Sequence, residues 1–248
     1  DDLPVGLAFV ADRHIGSLHT DHVIMLAHVE LLAATPGMYV IEGGDAVDNM
    51  ALPMKLVAET RGDMPPDMQY TVYRDILIRL GPRLVCVAHG NHDNWTKKYG
   101  GVDMLADIAA RVNTVCTEES AMIRVDVAGM VYTIIRQHKP RFVSYLNPAH
   151  AIIRMWETCD QNFDVGCQDH SHVPYAEEFV KHGKKHIAIR SGTYKTMDSW
   201  ARARGYYGAK IGVPVVLLWP KEWRMELARG GSNLEEACAY LTMLRSGA

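Results

Sequence analysis

Three short and almost uninterrupted apolar runs, Gly6–Ala11, Met38–Glu42 and Leu84–Ala88, constrain this chain more than any other feature. A continuous apolar run of that length describes a strand covered on both faces, not one with a wet face. Between the first two runs lies Asp21–Thr35 (DHVIMLAHVELLAAT), apolar at helical spacing and stopped by Pro36-Gly37. Strand, helix, strand in that order is a parallel βαβ unit, right-handed by default. Asp48–Leu80 reads as another helical region, interrupted at Gly62–Pro66, and Asp103–Val112 as a shorter helix.

The second half changes character. Ala121–Val127 and Met130–Gln137 flank Ala128-Gly129 and read as a hairpin. A helix is expected over Asn147–Cys159, then strands over Phe163–Cys167, His186–Arg190, Val213–Leu218 and Trp223–Ala228. Two mixed sheets packed face to face, with helices outside, accommodate both halves. A chain of 248 residues, 48% hydrophobic and without repeat or linker, suits one α/β domain over residues 1–248.

A net charge of −3 argues against a protein held on DNA by bulk electrostatics, so any nucleic-acid contact is local. The five cysteines are scattered and lack a CxxC pair, which fits reduced thiols better than a disulfide framework. No basic segment precedes the first apolar run, and runs such as Val213–Trp219 are too short to span a bilayer. A cytoplasmic location without membrane contact is the expectation.

The chemistry gathers where the apolar runs stop. The first ends in Asp12-Arg13-His14, the second in Gly43-Gly44-Asp45-Ala46-Val47-Asp48, and the third leads to Gly90-Asn91-His92-Asp93. Later, Val131–Gln137 ends at His138, and Phe163–Cys167 runs into Gln168-Asp169-His170-Ser171-His172. Sites in open α/β sheets lie at the C-terminal ends of parallel strands. In extended chain, Asp12 and His14, like His170 and His172, would face one side and close on one ion. Singly, each piece has an ordinary explanation: a turn, a helix cap at Asp45, a half-buried histidine at His138. Together they form a mixed N and O ligand set without thiolate, suited to Mn²⁺, Fe or Zn²⁺. There are too many groups for one tetrahedral ion, but enough for two ions sharing a carboxylate. Such a pair is the known clamp for displacement at phosphorus.

This ordered set resembles the calcineurin-like metallophosphoesterase superfamily, whose pattern is DxH, GDxxD, GNHD/E, H and GHxH. The match spans Asp12 to His172, about two thirds of the chain. The resemblance implies a four-layer α/β/β/α sandwich and two divalent ions, foremost Mn²⁺, with Fe, Zn²⁺ or Ni²⁺ as other occupants. Asp12, His14, Asp45 and His172 would hold one ion, and Asp45 would bridge to a second held by Asn91, His138 and His170. A hydroxide bridging the two ions would attack phosphorus. His92 would steady the phosphoryl group or protonate the leaving oxygen, paired with the acidic residue Asp48. Two departures stand out. Asp169 replaces the usual Gly before HxH, altering the backbone or adding an acceptor behind a ligand. Asn49 stands where the protein-phosphatase branch has Arg, which weakens a phosphoprotein-phosphatase reading.

For the substrate, Trp95 and Lys97 follow Gly-Asn-His-Asp directly, and Lys139 and Arg141 follow His138. Trp95 offers a stacking platform or packs beneath the turn. The stretches Arg190–Lys195 and Trp200–Arg204 are basic and aromatic within an acidic protein. Cations beside aromatics favour a phosphodiester substrate, a nucleotide or short single-stranded nucleic acid. The alternatives are a phosphomonoesterase on the same centre, or a non-catalytic metal-binding scaffold.

Overall fold

In the computed structural model, the described residues are 2–49, 64–159, 162–196, 199–205 and 207–247. Residues 50–63, part of the helical region expected over Asp48–Leu80 and including residues 62–63 of the expected interruption, lie outside them, as does the side chain of Trp200.

Among the described residues, one sheet joins β1 (Val5–Val10), β2 (Met38–Glu42), β3 (Leu84–Ala88), β4 (Val115–Thr117), β10 (Val215–Leu218) and β11 (Met225–Leu227) in the order β11-β10-β1-β2-β3-β4. Its β1 to β4 are parallel, and β10 lies antiparallel against β1. The other sheet runs β5-β6-β7-β9-β8, from β5 (Ser120–Val127), β6 (Met130–Gln137), β7 (Val165–Gln168), β8 (Tyr175–Lys181) and β9 (Lys184–Arg190). Here β6, β7 and β9 are parallel, with antiparallel edges. The helices are α1 (His22–Ala34), α2 (Pro66–Leu80), α3 (Asn91–Gly100), α4 (Met104–Arg111), α5 (His150–Thr158), α6 (Ser199–Ala203) and α7 (Leu234–Ser246).

Strand alternation builds the layers. On β1, Leu7 and Phe9 face the second sheet, meeting Ile134, Val165, Ile187 and Ile189. Ala8 and Val10 point the other way, into a core with Met25, Val29, Leu77, Ile108 and Leu241 of the helices. On β9, Ala188 turns outward, where Ile152 and Trp156 of α5 and Phe163 before β7 cover it. Each fully buried Leu, Ile or Phe contributes about 1.5–3 kcal/mol, so both faces of each central strand are strongly held. The result is helices, sheet, sheet, helix: two mixed sheets with flanking helices, as anticipated. No helix of the described residues is long and apolar enough to cross a membrane.

The sequence reading missed β4 and β8, both edge strands, and α7. The third motif opens α3, which starts at Asn91 with Gly90 as its cap.

Candidate metal centre

The ends of β1 and β2 continue side by side past the sheet. Asp12 N donates to Gly44 O, His14 N to Asp45 O and Ile15 N to Ala46 O. The two motifs are thereby zipped by backbone before any side chain is considered. The third end locks onto the second, since Asp93 accepts from the backbone N–H of Asp45 (2.7 Å), Ala46 (3.2 Å) and Gly90 (2.8 Å). Asp93 is therefore a clamp for the Asp45 loop. Burial and the charge of Asp45 push its carboxyl up to about 6, against the pull of the N–H donors.

Gly90 is required by space. Its φ is −110°, open to any residue, but a Cβ there would overlap Asp45 Oδ1. The extended DxH and HxH geometry is corrected. Asp12, His14, Asp45, His170 and His172 have φ of 50°, 45°, 51°, 66° and 59°, left-handed values that non-glycine residues hold only when surroundings impose them. Left-handed turns aim His170 and His172 into different clusters, where an extended segment would have paired them.

Those clusters are Asp12, His14 and His172, and Asp45, His138 and His170. In the first, His172 Nε2 lies 3.3 Å from Asp12 Oδ1 and 3.1 Å from His14 Nε2. In the second, Asp45 Oδ2 lies 3.2 Å from His138 Nε2 and 3.9 Å from His170 Nδ1. The same oxygen is 4.0 Å from His14 Nε2 and 3.9 Å from His92 Nε2. One carboxylate oxygen is thus ringed by four imidazole nitrogens.

The donor atoms fit divalent ions. Asp12 Oδ1, Asp45 Oδ2, Asn91 Oδ1, His138 Nε2 and His170 Nδ1 are buried and without a hydrogen-bond partner among the described residues. Buried polar atoms in such number are otherwise costly. Despite burial, which opposes charge, the neighbouring histidines hold Asp45 well below the usual carboxylate range; His172 first and His138 after it do the same to a lesser degree for Asp12. Burial pushes His14 down to about 4 against its hydrogen bond to Asp48, keeping it neutral. Burial opposes a charge on His138 as well, but Asp45 outweighs it and lifts the group to about 9. A cation entering here would displace that proton.

The surroundings show how each ring is oriented. His14 Nδ1 faces Asp48 Oδ1 at 3.0 Å, leaving Nε2 for the cluster, and Lys195 Nζ lies 3.0 Å from the same carboxylate oxygen. The expected side-chain pairing of Asp48 with His92 is corrected: His92 Nδ1 bonds the main-chain carbonyl of Asp48 at 2.8 Å. The carboxylate is already turned to His14 and Lys195. Trp95 packs on His92, with ring centroids 4.0 Å apart. Asn49 is structural, its amide donating to His92 O and Thr96 Oγ1, both at 2.6 Å.

Of the expected substrate residues, Lys97 is engaged by Asp103 (3.1 Å) and Glu118 (3.3 Å), outside the groups drawn together around Asp45. Lys139 and Arg141 stand exposed on the loop after His138. The ties made by Lys195 and Asp93 escaped sequence reading. For Lys195 the signal lay in the basic stretch ending there.

No family model and no curated protein matches the sequence. Among solved structures, the chain is similar to the calcineurin-like phosphoesterase YfkN from Bacillus subtilis (10% identity, 99% of this chain and 97% of that one, TM-score 0.47). It is also similar to Vps29 complexed with zinc from Entamoeba histolytica (13%, 92% and 100%, TM-score 0.44) and to the nuclease MPE from Pseudomonas putida (14%, 89% and 86%, TM-score 0.41). At such identities and TM-scores these likenesses carry no argument about chemistry, which rests on the side chains of this chain. The two mixed sheets with flanking helices, and the two His/Asp clusters at the strand ends, agree with what the motif resemblance to the calcineurin-like metallophosphoesterases implies.

Proposed function

We propose that this chain is a metal-dependent phosphodiesterase acting on nucleotides or short single-stranded nucleic acid. The observation that carries the reading is Asp45 Oδ2, one unpartnered oxygen within 4.0 Å of nitrogens from both clusters. Asp12, His14, Asp45 and His172 would hold one ion, and Asp45, Asn91, His138 and His170 the other. When bound, such ions lower the pKa of a shared water and neutralise charge at phosphorus.

The remaining work falls to the protein. Because His92 Nδ1 bonds the Asp48 carbonyl, Nε2 is the atom free to meet a phosphoryl oxygen or give a proton to the leaving group. Trp95, packed at a tilt of 36° against the ring, keeps it from swinging away. Asp48 holds His14 with Nε2 forward, and Lys195 offsets the charge of Asp48. Exposed Lys139 and Arg141 supply cations on the loop that follows His138, which supports a phosphodiester substrate.

The test is a Mn²⁺-supplemented panel of aryl monoester, aryl diester, cyclic nucleotides and single-stranded oligonucleotides. The proposal expects metal-dependent turnover with the diester faster than the monoester. Faster monoester turnover would make the chain a phosphatase, and zero turnover with metal bound would make it a scaffold.

A further inference from the structure

We infer that Asp169, backed by the guanidinium of Arg136, is a positioning residue for the ligand His138. The inference rests on the two-metal reading above and concerns the residue that departs from the resembling family's pattern.

Arg136 and Asp169 are fully buried, at 0% and 1% exposure, with Arg136 Nη2 2.6 Å from Asp169 Oδ2. Burying a carboxylate there demands an opposite charge, and β6 delivers one two residues before His138. The same Oδ2 lies 4.0 Å from His138 Nδ1, while His138 Nε2 lies 3.2 Å from Asp45 Oδ2. His138 thus stands between two carboxylates, one facing each ring nitrogen. His138 Nδ1 is buried without a hydrogen-bond partner among the described residues, while Asp169 Oδ2 has the Arg136 guanidinium as its ion-pair partner.

A separate packing observation ties Asp169 to the shared carboxylate. A Cβ on Gly43 would lie 2.7 Å from Asp169 Oδ2, so this oxygen rests against the loop that presents Asp45. Asp169 therefore touches the Asp45 loop and faces the imidazole beside it.

A histidine that binds a cation through Nε2 carries its proton on Nδ1. An acceptor behind Nδ1 fixes that tautomer and the ring plane and makes Nε2 a stronger donor to the ion. A ring shift of about 1 Å brings Nδ1 within hydrogen-bond distance of Oδ2. Glycine at position 169 would have no side-chain acceptor to offer. The Arg136 guanidinium pairs with the carboxylate and holds it in place, so it acts through Asp169.

The test titrates Mn²⁺ alone into the metal-free full chain by calorimetry, for wild type, Asp169→Asn and the uncharged pair Arg136→Gln/Asp169→Asn. The pair is included because Asp169→Asn strands a buried guanidinium, and metal-free unfolding curves establish folding. Wild type should take up two ions. The folded variant should keep one ion at wild-type affinity and bind the other about 10- to 100-fold more weakly. Two ions at wild-type affinity in the variants, or equal weakening of both, would overturn the inference alone. Failure of both variants to fold without metal would also overturn it, assigning the pair to folding. Fewer than two ions in wild type would overturn the two-metal reading and this inference with it.

Discussion

A methyl group at Gly90 would occupy the position of Asp45 Oδ1, the oxygen that accepts from His92 N at 2.8 Å. Gly90→Ala should therefore displace the shared carboxylate and abolish tight binding of at least one Mn²⁺, checked by metal content after dialysis. His92→Ala has the opposite signature. It keeps the main-chain N–H that holds Asp45 and removes only the ring, so metal content should stay at the wild-type level. Diester turnover should fall about a hundred- to ten-thousand-fold, the range for a lost general acid. Comparable loss of metal in His92→Ala would show that its role is misassigned. Five of the seven proposed ligands sit at positive φ, each costing on the order of 1–3 kcal/mol. Such strain persists because the surroundings over-determine it, here through the backbone ties of Asp12 and His14 and the hydrogen bond from His170 N to Asp12 Oδ2.

At the scale of elements, the junction of β3 with α3 has its own anchor. His89 Nδ1 lies 2.9 Å from Thr117 O on β4 and Nε2 lies 2.8 Å from Asp103 Oδ1, the N-cap of α4. Burial opposes a charge there, but Cys116, Asp103 and the Thr117 carbonyl outweigh it and raise His89 from 6.5 to about 10. A raised histidine contributes stability that is full below pH 6.5 and lost as pH climbs through about 10. Urea unfolding at pH 6 should show His89→Gln less stable by about 1.5–3 kcal/mol, the value of hydrogen bonds to a charged group, with a smaller deficit near pH 10. A deficit independent of pH would mean the imidazole is neutral. The buried parallel strands were legible because both faces are apolar, as in LVCVA of β3. β8 was not, because YAEEFVK lies at an edge, with consecutive glutamates breaking the pattern and Glu178 and Val180 exposed. The ligand motifs were legible because side chains name themselves. The His92 tie to Asp48 was not, because its acceptor is a main-chain carbonyl that no residue letter encodes. Asp169 could be seen as a departure, while its partner Arg136 lay on another strand with nothing in the sequence to join them.

For the whole molecule, the decisive fact is that the centre draws on both sheets. Asp12, Asp45 and Asn91 follow β1, β2 and β3, while His138 follows β6, and His170 and His172 follow β7. Ions held there would fasten the open ends of the two sheets together, so occupancy should stabilise the fold as a unit. At a free Mn²⁺ concentration 100 times Kd, one site adds about 2.7 kcal/mol, read by calorimetry as a rise in Tm that chelation reverses. The central claim is that two ions share Asp45, and anomalous scattering from crystals grown with Mn²⁺ tests it most directly. Two peaks about 3.5–4 Å apart on either side of the Asp45 carboxylate are the result predicted. A single peak, or two that do not share Asp45, would contradict it.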